Sequence, residues 1–263
     1  MTSSLTQLEQ ISLEEFGLVP YLNILTYPGP DLRSAKSRIK QLQKLGVEGV
    51  IFEGKTKVGR LGLVGLGTVG LVVKSVTKDG IFALKIRRRD ANRESMDNEV
   101  RLTKMANSVG VGPRLLNHTR DFIIMQHIRG EGIDEWLSEL LGRGSAARAR
   151  ELVHRLLNQC RKLDLINLDH GQLSNLRKHV VIFDDSPYII DFESASTNRA
   201  PRNVTTAAQY MFIGGKVSTR LKRILGLRKS DAILDTLRQY KRDMNDANYA
   251  RVLASMKINS PKL

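Results

Sequence analysis

The residues predict an α+β chain in three parts. Residues 1–48 read as a helical extension, 49–128 as an antiparallel sheet with one helix, and 129–263 as a helical part that carries one hairpin. Three observations carry this reading. β-Branched runs stand on both sides of Lys78-Asp79-Gly80, and Asp-Gly is a strong short signal for a strand reversal. Val180–Phe183 and Tyr188–Ile190 flank Asp184-Asp185-Ser186-Pro187, which reads as a second hairpin. Apolar residues then follow helical spacing, as in Trp136, Leu137, Leu140 and Leu141, and again in Leu152, Val153, Leu156 and Leu157.

Composition narrows the classes. With 263 residues the chain is long enough for one large domain or two small ones with proper cores. A formal charge of +15 and a pI near 10.1 favour acidic partners such as nucleic acid or nucleotides. The one cysteine, Cys160, excludes an internal disulfide; it sits in the helical text LLNQCRKL and is expected in the core. No run approaches the roughly 18 apolar residues of a membrane helix. The first residues mix acids with apolar side chains and lack a signal-peptide core. A soluble, cytoplasmic protein with no membrane partner is the expectation.

Two glycine motifs lie almost end to end. Residues 49–56, GVIFEGKT, satisfy the P-loop pattern G-x-x-x-x-G-K-[ST], which needs a flexible loop followed by a helix. Here Val50-Ile51-Phe52-Glu53 reads as a strand, and glycines at 59, 62, 65 and 67 make a helix after Thr56 improbable. Residues 65–70, GLGTVG, satisfy G-x-G-x-x-G. A dinucleotide fingerprint needs a helix after Gly70, but Leu71-Val72-Val73 is strand-like. The loop of Gly65, Gly67 and Gly70 therefore joins two antiparallel strands, as in protein kinases, where such a loop covers ATP phosphates.

The following segments extend that arrangement. Ala83-Leu84-Lys85-Ile86 matches the strand whose lysine pairs nucleotide phosphates. A helix over 93–108 carries Glu99, the preferred ion-pair partner of Lys85; Glu94 is the competitor. Phe122–Met125 reads as a buried strand ending in Gln126-His127-Ile128, where the backbone of Gln126 and Ile128 would meet adenine. The hairpin at 180–190 delivers Asp191-Phe192-Glu193 to the loop behind it, the logic of a metal-binding Asp-Phe-Gly segment.

The motifs Gly65/Gly67/Gly70, Lys85, Glu99, His170-Gly171-Gln172-Leu173-Ser174, Lys178-His179-Val180 and Ile190-Asp191-Phe192-Glu193 together carry a resemblance. The chain resembles the atypical kinases of the RIO type and the small KEOPS-complex kinase, and most of all an archaeal group of predicted RIO-like serine/threonine kinases. The resemblance spans residues 50 to about 200. It implies a two-lobed kinase-like fold with a reduced C-lobe, ATP with Mg²⁺ or Mn²⁺, and phosphate transfer to a protein substrate. It implies Asp191 as metal ligand and Lys85 as phosphate partner.

Two positions depart from the pattern. Related kinases place an aspartate base where this chain has Gln172, and an amide does not accept a proton at neutral pH. Asp169 as substitute base, Gln172 as a group that orients the hydroxyl, and a pseudokinase that binds ATP and transfers poorly all stand open. The asparagine for a second metal is replaced by Lys178 or His179, and His179 is the metal-ligand candidate. A small-molecule kinase is a further rival, although those carry acidic pockets and this chain is basic. An RNA-binding protein with a vestigial kinase fold is another.

The ends are less specific. Ser34–Leu45 reads as a helix with Ile39, Leu42 and Leu45 inward, Lys36, Arg38, Lys40 and Lys44 outward, and Gly46 as its stop. Residues 216–263 read as basic helices, with Lys216, Arg220, Lys222, Arg223, Arg228, Lys229, Arg238, Lys241, Arg242 and Arg251 facing few acids. Arg87-Arg88-Arg89 adds charge beside Lys85. Few aromatics interleave, so phosphate-backbone contact with RNA or a ribonucleoprotein is the candidate, not base stacking. Filter binding should then show RNA retained at low salt and released steeply as salt rises; no retention at low salt would remove this partner.

Overall fold

The computed structural model describes residues 9–228 and 230–258. Residues 1–8, part of the stretch read as lacking a leader, lie outside the described residues, as do Lys229 and residues 259–263 of the basic end. The chain divides into two compact units. One comprises Met1–Arg101 and Arg114–His127; the other comprises Leu102–Pro113 and Ile128–Leu263. The mixed α+β expectation holds, with an antiparallel sheet in the first unit and mostly helices in the second.

In the first unit the elements run β1 (Glu9–Ser12), α1 (Leu13–Phe16), α2 (Leu22–Leu25), α3 (Leu32–Lys44), β2 (Val47–Phe52), β3 (Thr56–Val58), β4 (Leu61–Leu63), β5 (Gly65–Leu66), β6 (Gly70–Thr77) and β7 (Gly80–Arg87). Helix α4 (Asp97–Ser108) follows, its residues past Arg101 counted with the second unit, and then β8 (Leu115–His118) and β9 (Phe122–Met125). The main sheet has the order β1-β2-β6-β7-β9-β8, with β5 on β6, and every pairing is antiparallel. The Thr77–Gly80 reversal falls where Asp-Gly placed it. The P-loop reading ends here, because a strand precedes Glu53 and another, not a helix, begins at Thr56.

Residues 9–48 are not a separate helical extension. Strand β1 pairs with β2 from Glu9↔Phe52 to Ser12↔Gly49, so this segment supplies the sheet's edge. Gly49 is required there, since a side chain would meet the Ile11 carbonyl at 2.6 Å. Ser12 then caps α1 through a reciprocal capping box with Glu15. Phe16, Ile24, Leu25 and Leu42 join Val50 and Leu71 in one core, and burial of such side chains contributes about 1.5–3 kcal/mol each. The helix at 93–108 is shorter than expected and starts at Asp97.

Arg38, expected outward on α3, is 2% exposed. Its guanidinium donates to the Leu25 carbonyl at 2.6 Å and to Asp121 at 3.3 Å. Arg87 reaches the same carboxylate at 2.7 Å, and Gln41 donates to it at 2.8 Å. The basic triplet is thereby neutralised in place: Arg87 by Asp121, Arg88 by Asp90 and Arg89 by Asp31, each at 2.7 Å.

The second unit runs β10 (Glu131–Gly132), α5 (Ile133–Glu139), α6 (Ser145–Leu165), α7 (Leu176–His179), β11 (Val180–Phe183), β12 (Ser186–Ile189), α8 (Asn203–Phe212), α9 (Gly215–Leu225), α10 (Asp231–Arg242) and α11 (Asp246–Ser255). Strands β10-β11-β12 form a small antiparallel sheet. The hairpin turn is tighter than the sequence suggested. Asp184 and Asp185 alone make it, both with positive φ, and Ser186 and Pro187 already belong to β12. Asp185 also accepts from Trp136 Nε1 and pairs with Arg148, which fixes the hairpin tip. Leu152, Val153, Leu156, Leu157 and Cys160 are buried as expected, whereas Leu141 lies past the end of α5 and is 75% exposed. Among the described residues no helix is long and apolar enough to cross a membrane.

Burial alone would raise the Asp121 pKa, but Gln41, Arg38 and Arg87 outweigh it and hold the carboxyl below its ordinary value. The unfolded chain then binds a proton more readily than the folded one. This stabilisation is complete above the unfolded value of about 3.9 and is lost as pH falls through the lower folded value. Between pH 5 and pH 2 the wild type should lose unfolding free energy more steeply than Asp121→Asn, as read by urea denaturation at each pH.

Candidate functional site

The first unit presents a glycine loop and an ion pair. Lys85 lies mid-strand in β7, opposite Val72 of β6 and Ile123 of β9, and is 4% exposed. Its Nζ meets Glu99 Oε1 at 2.7 Å. A cation held in an apolar sheet is tolerated because this carboxylate shares its burial. Glu94, the competitor, is exposed. Gly70, the last glycine of the loop, lies against the lysine stem. A side chain there would stand 3.0 Å from Lys85 Cε and 3.0 Å from the Ile86 carbonyl.

The loop between β5 and β6 is closed by the Gly67 N–H donating to the Gly70 carbonyl at 2.8 Å. Arg88 holds it from below. Its backbone N–H donates to the Val69 carbonyl at 2.8 Å, and its Nη1 to the Gly67 carbonyl at 3.0 Å. Asp90 receives the rest of the guanidinium, which lies 5.0 Å from the centre of the Tyr27 ring. Sequence reading counted Arg88 only as surface charge. Its role in holding the loop depends on Asp90 two residues on, a spacing that was visible.

At the end of β9 the Gln126 N–H donates to the Arg114 carbonyl at 2.9 Å. That donor is therefore already engaged within the chain. Ile128 begins the other unit's segment and is half-buried.

The second unit gathers His170, His179, Asp191 and Phe192 behind the hairpin. Asp191 has φ 68° and ψ 80°, in the left-handed region. A non-glycine residue held there costs of order 1 kcal/mol, and such strain collects at functional positions. Its side chain is 33% exposed, and its Oδ2 lies 3.8 Å from His179 Nδ1. Of the two residues weighed for the second metal, His179 faces Asp191 and Lys178 is exposed. Burial holds His179 below the ordinary imidazole range, against the pull of Asp191, so the ring is neutral and able to ligate.

His170 is fully buried and makes edge contacts with the Phe192 ring at 5.1 Å and the His179 ring at 5.4 Å. Its Nε2 lies 3.0 Å from the Ile190 carbonyl. A carbonyl only accepts, so Nε2 carries the proton. Burial lowers the His170 pKa to about 4 and keeps the ring neutral. Gly112 leaves room for Phe192, because a side chain at its positive φ would meet the ring at 2.7 Å.

Asp169 is 2% exposed and already occupied. One oxygen pairs with Arg199 Nε, and the other accepts from the Arg202 N–H at 3.1 Å. Its backbone forms a bridge with Ser196 in both directions. Arg199 also donates to the Ser194 carbonyl at 2.6 Å and lies where a Gly171 side chain would be. Gln172 is half-buried, and its Oε1 meets no hydrogen-bond partner among the described residues.

A second carboxylate, missed in the sequence, holds this loop. Asp164 at the end of α6 accepts from Asn203 N at 2.9 Å, Asn203 Nδ2 at 2.8 Å, Val204 N at 3.2 Å and Tyr240 Oη at 3.1 Å. The first turn of α8 is thus capped by a residue from another helix. Asn203 passes the order on: its Nδ2 donates to the Leu168 carbonyl at 2.7 Å, and its Oδ1 accepts the His170 N–H at 2.8 Å. The visible signal was an acid between Leu163 and Leu165 at the end of a helical run.

Among the described residues, no group of three or more His, Cys, Asp or Glu side chains stands ready to hold a metal. Asp191 with His179 still suits an ion that keeps waters and phosphate oxygens in its shell, as Mg²⁺ does. The imidazole favours Mn²⁺ more than Mg²⁺.

No protein-family model matches the chain. An uncharacterized protein of Methanocaldococcus jannaschii is 26% identical over 120 residues, which is 45% of this chain and 99% of that protein.

Asn203→Ala removes the partners of Leu168 O and His170 N and one donor to Asp164. Each buried group left unpaired costs about 1–3 kcal/mol. Urea denaturation should show a loss of about 3 kcal/mol or more, against less than about 0.5 kcal/mol for the exposed Asn198→Ala.

Proposed function

We propose that the protein has a kinase-like fold with a reduced second lobe, binds ATP with a divalent cation, and transfers the γ-phosphoryl group to a serine or threonine hydroxyl of a protein. The buried Lys85–Glu99 pair beneath Gly70 is the observation that carries this reading. An ion pair sunk in a sheet contributes little net stability, so its placement at the root of a glycine loop argues for use. In this reading Gly65, Gly67 and Gly70 cover the phosphates, and Lys85 neutralises two of them. Asp191 and His179 would hold a divalent cation, which would supply positive charge against the negative charge of the phosphates.

The hydroxyl is served by Gln172 rather than Asp169. Both Asp169 oxygens are taken by Arg199 and Arg202, whereas Gln172 Oε1 is an acceptor without a partner among the described residues. An amide that orients the hydroxyl is enough where the transition state is loose and positioning supplies most of the rate. One reading competes. If transfer needs a carboxylate base, the occupied Asp169 leaves an ATP-binding switch that acts as a scaffold.

Transfer from γ-labelled ATP with Mg²⁺ or Mn²⁺ separates the two. Wild type should label a protein acceptor or itself, and Lys85→Met and Asp191→Ala should lose at least about 100-fold of that rate. Gln172→Ala should lose about tenfold or more, beyond what any fall in melting temperature explains. No label, with an ATP-induced rise in melting temperature, would leave the switch; no label and no rise would remove nucleotide binding.

A further inference from the structure

The second unit contains a pocket of about 500 Å³ to which none of Asp169, Gln172, His179 or Asp191 contributes. Its floor is one face of α6, where Arg155, Gln159 and Lys162 follow at helical spacing. One rim is the turn at Gly110 and Gly112, which adds no side chains. The opposite wall is β12, with Ser186, Pro187 and Tyr188.

The lining holds three cations, Arg155, Arg161 and Lys162, and no carboxylate. Two of them are fixed in advance. Arg155 is held by Glu151 at 2.6 Å and by the Ser186 hydroxyl at 2.8 Å. Arg161 is 8% exposed, donates to Asp246 at 2.7 Å and to the Met244 carbonyl at 3.2 Å, and lies 4.7 Å from the centre of the Tyr249 ring. Glu151 and Asp246 neutralise these guanidinia from outside the lining. Lys162 is exposed, and among the described residues it makes no ion pair. Its Nζ would stand 3.9 Å from a side chain added at Gly110, so it overhangs the bare rim. Leu165, Pro187 and Tyr188 add an apolar strip beside these charges.

We propose that this pocket is a second ligand site, which takes a small phosphate-bearing molecule with an aromatic or aliphatic part. The volume suits a ligand of mononucleotide size. Arg161 spends both terminal nitrogens on α10 and α11, whereas Arg155, held through Nε and Nη1, presents Nη2 to phosphate at low ordering cost, and Lys162 closes on it as a mobile point charge. The proposal does not depend on the function proposed above.

Calorimetric titration of the full chain with phenyl phosphate tests it, with phenol as the uncharged comparison. Wild type and Lys85→Met should bind alike, since Lys85 lies in the other unit. Lys162→Glu should bind at least about tenfold more weakly with an unchanged melting temperature, the effect of reversing one charge at the phosphate. Arg155→Ala should weaken binding in the same direction. Three results would overturn the site: no saturable binding by wild type up to about 10 mM, equal binding by Lys162→Glu, or phenol binding as tightly as phenyl phosphate. Loss in Lys85→Met without loss in Lys162→Glu would assign the phosphate to the glycine-loop lysine and overturn it equally.

Discussion

Asp164 sits where the longest helix ends, 5% exposed, and four donors converge on it. Two come from the backbone that starts α8, one from the Asn203 side chain and one from Tyr240 on α10. Burial pushes its pKa up, and those donors offset part of that. Such a carboxylate is tolerated in a core only when its lone pairs are filled. That requirement fixes the helices: α8 must start here and Tyr240 must point here. Through Asn203 it also places the Leu168 carbonyl and the His170 N–H, and hence the loop that carries Gln172. Arg161, one turn earlier on α6, ties in α11 through Asp246.

The first unit is ordered by a different balance. Its core is built of apolar side chains, yet Lys85, Glu99, Arg38 and Asp121 are buried with them. Arg38 and Asp121 join α3 to the turn before β9, so their contribution is to registry between a helix and the sheet. Lys85 and Glu99 join β7 to the start of α4. Beside the glycine loop Arg88 and Arg89 each have a carboxylate partner, in Asp90 and Asp31, and Arg38 and Arg87 share Asp121.

Local signals were readable where the chain satisfied its own needs nearby. The Asp-Gly reversal, the strand Phe122–Met125, the strand Val180–Phe183 and the buried face of α6 all follow from period and turn chemistry. What escaped depended on partners far along the chain. Arg38 looks like any outward arginine until Asp121, 83 residues later, is placed beside it. Asp169 looks like a free acid until Arg199 arrives. Strand β1 was read as helix because its pairing with β2 carries no local mark. Within the candidate site the Lys85–Glu99 pair was legible, whereas Asp164, Asn203 and Arg199, which hold the loop at 168–172, were not. Positioning depends on tertiary contacts, and no short motif records it.

The left-handed backbone at Asp191 bears on how this protein could drift or be redesigned. Glycine would occupy that φ without steric cost, and asparagine with less of it than most residues. Asp191 shares a positive φ with Asn167, Asp184, Asp185 and Lys257, and sequence optimisation for stability alone would favour glycine at Asp191, which leaves no carboxylate at the hairpin end. Partial exposure gives the aspartate no compensating burial. A carboxylate kept there is held against the conformational preference of its own backbone.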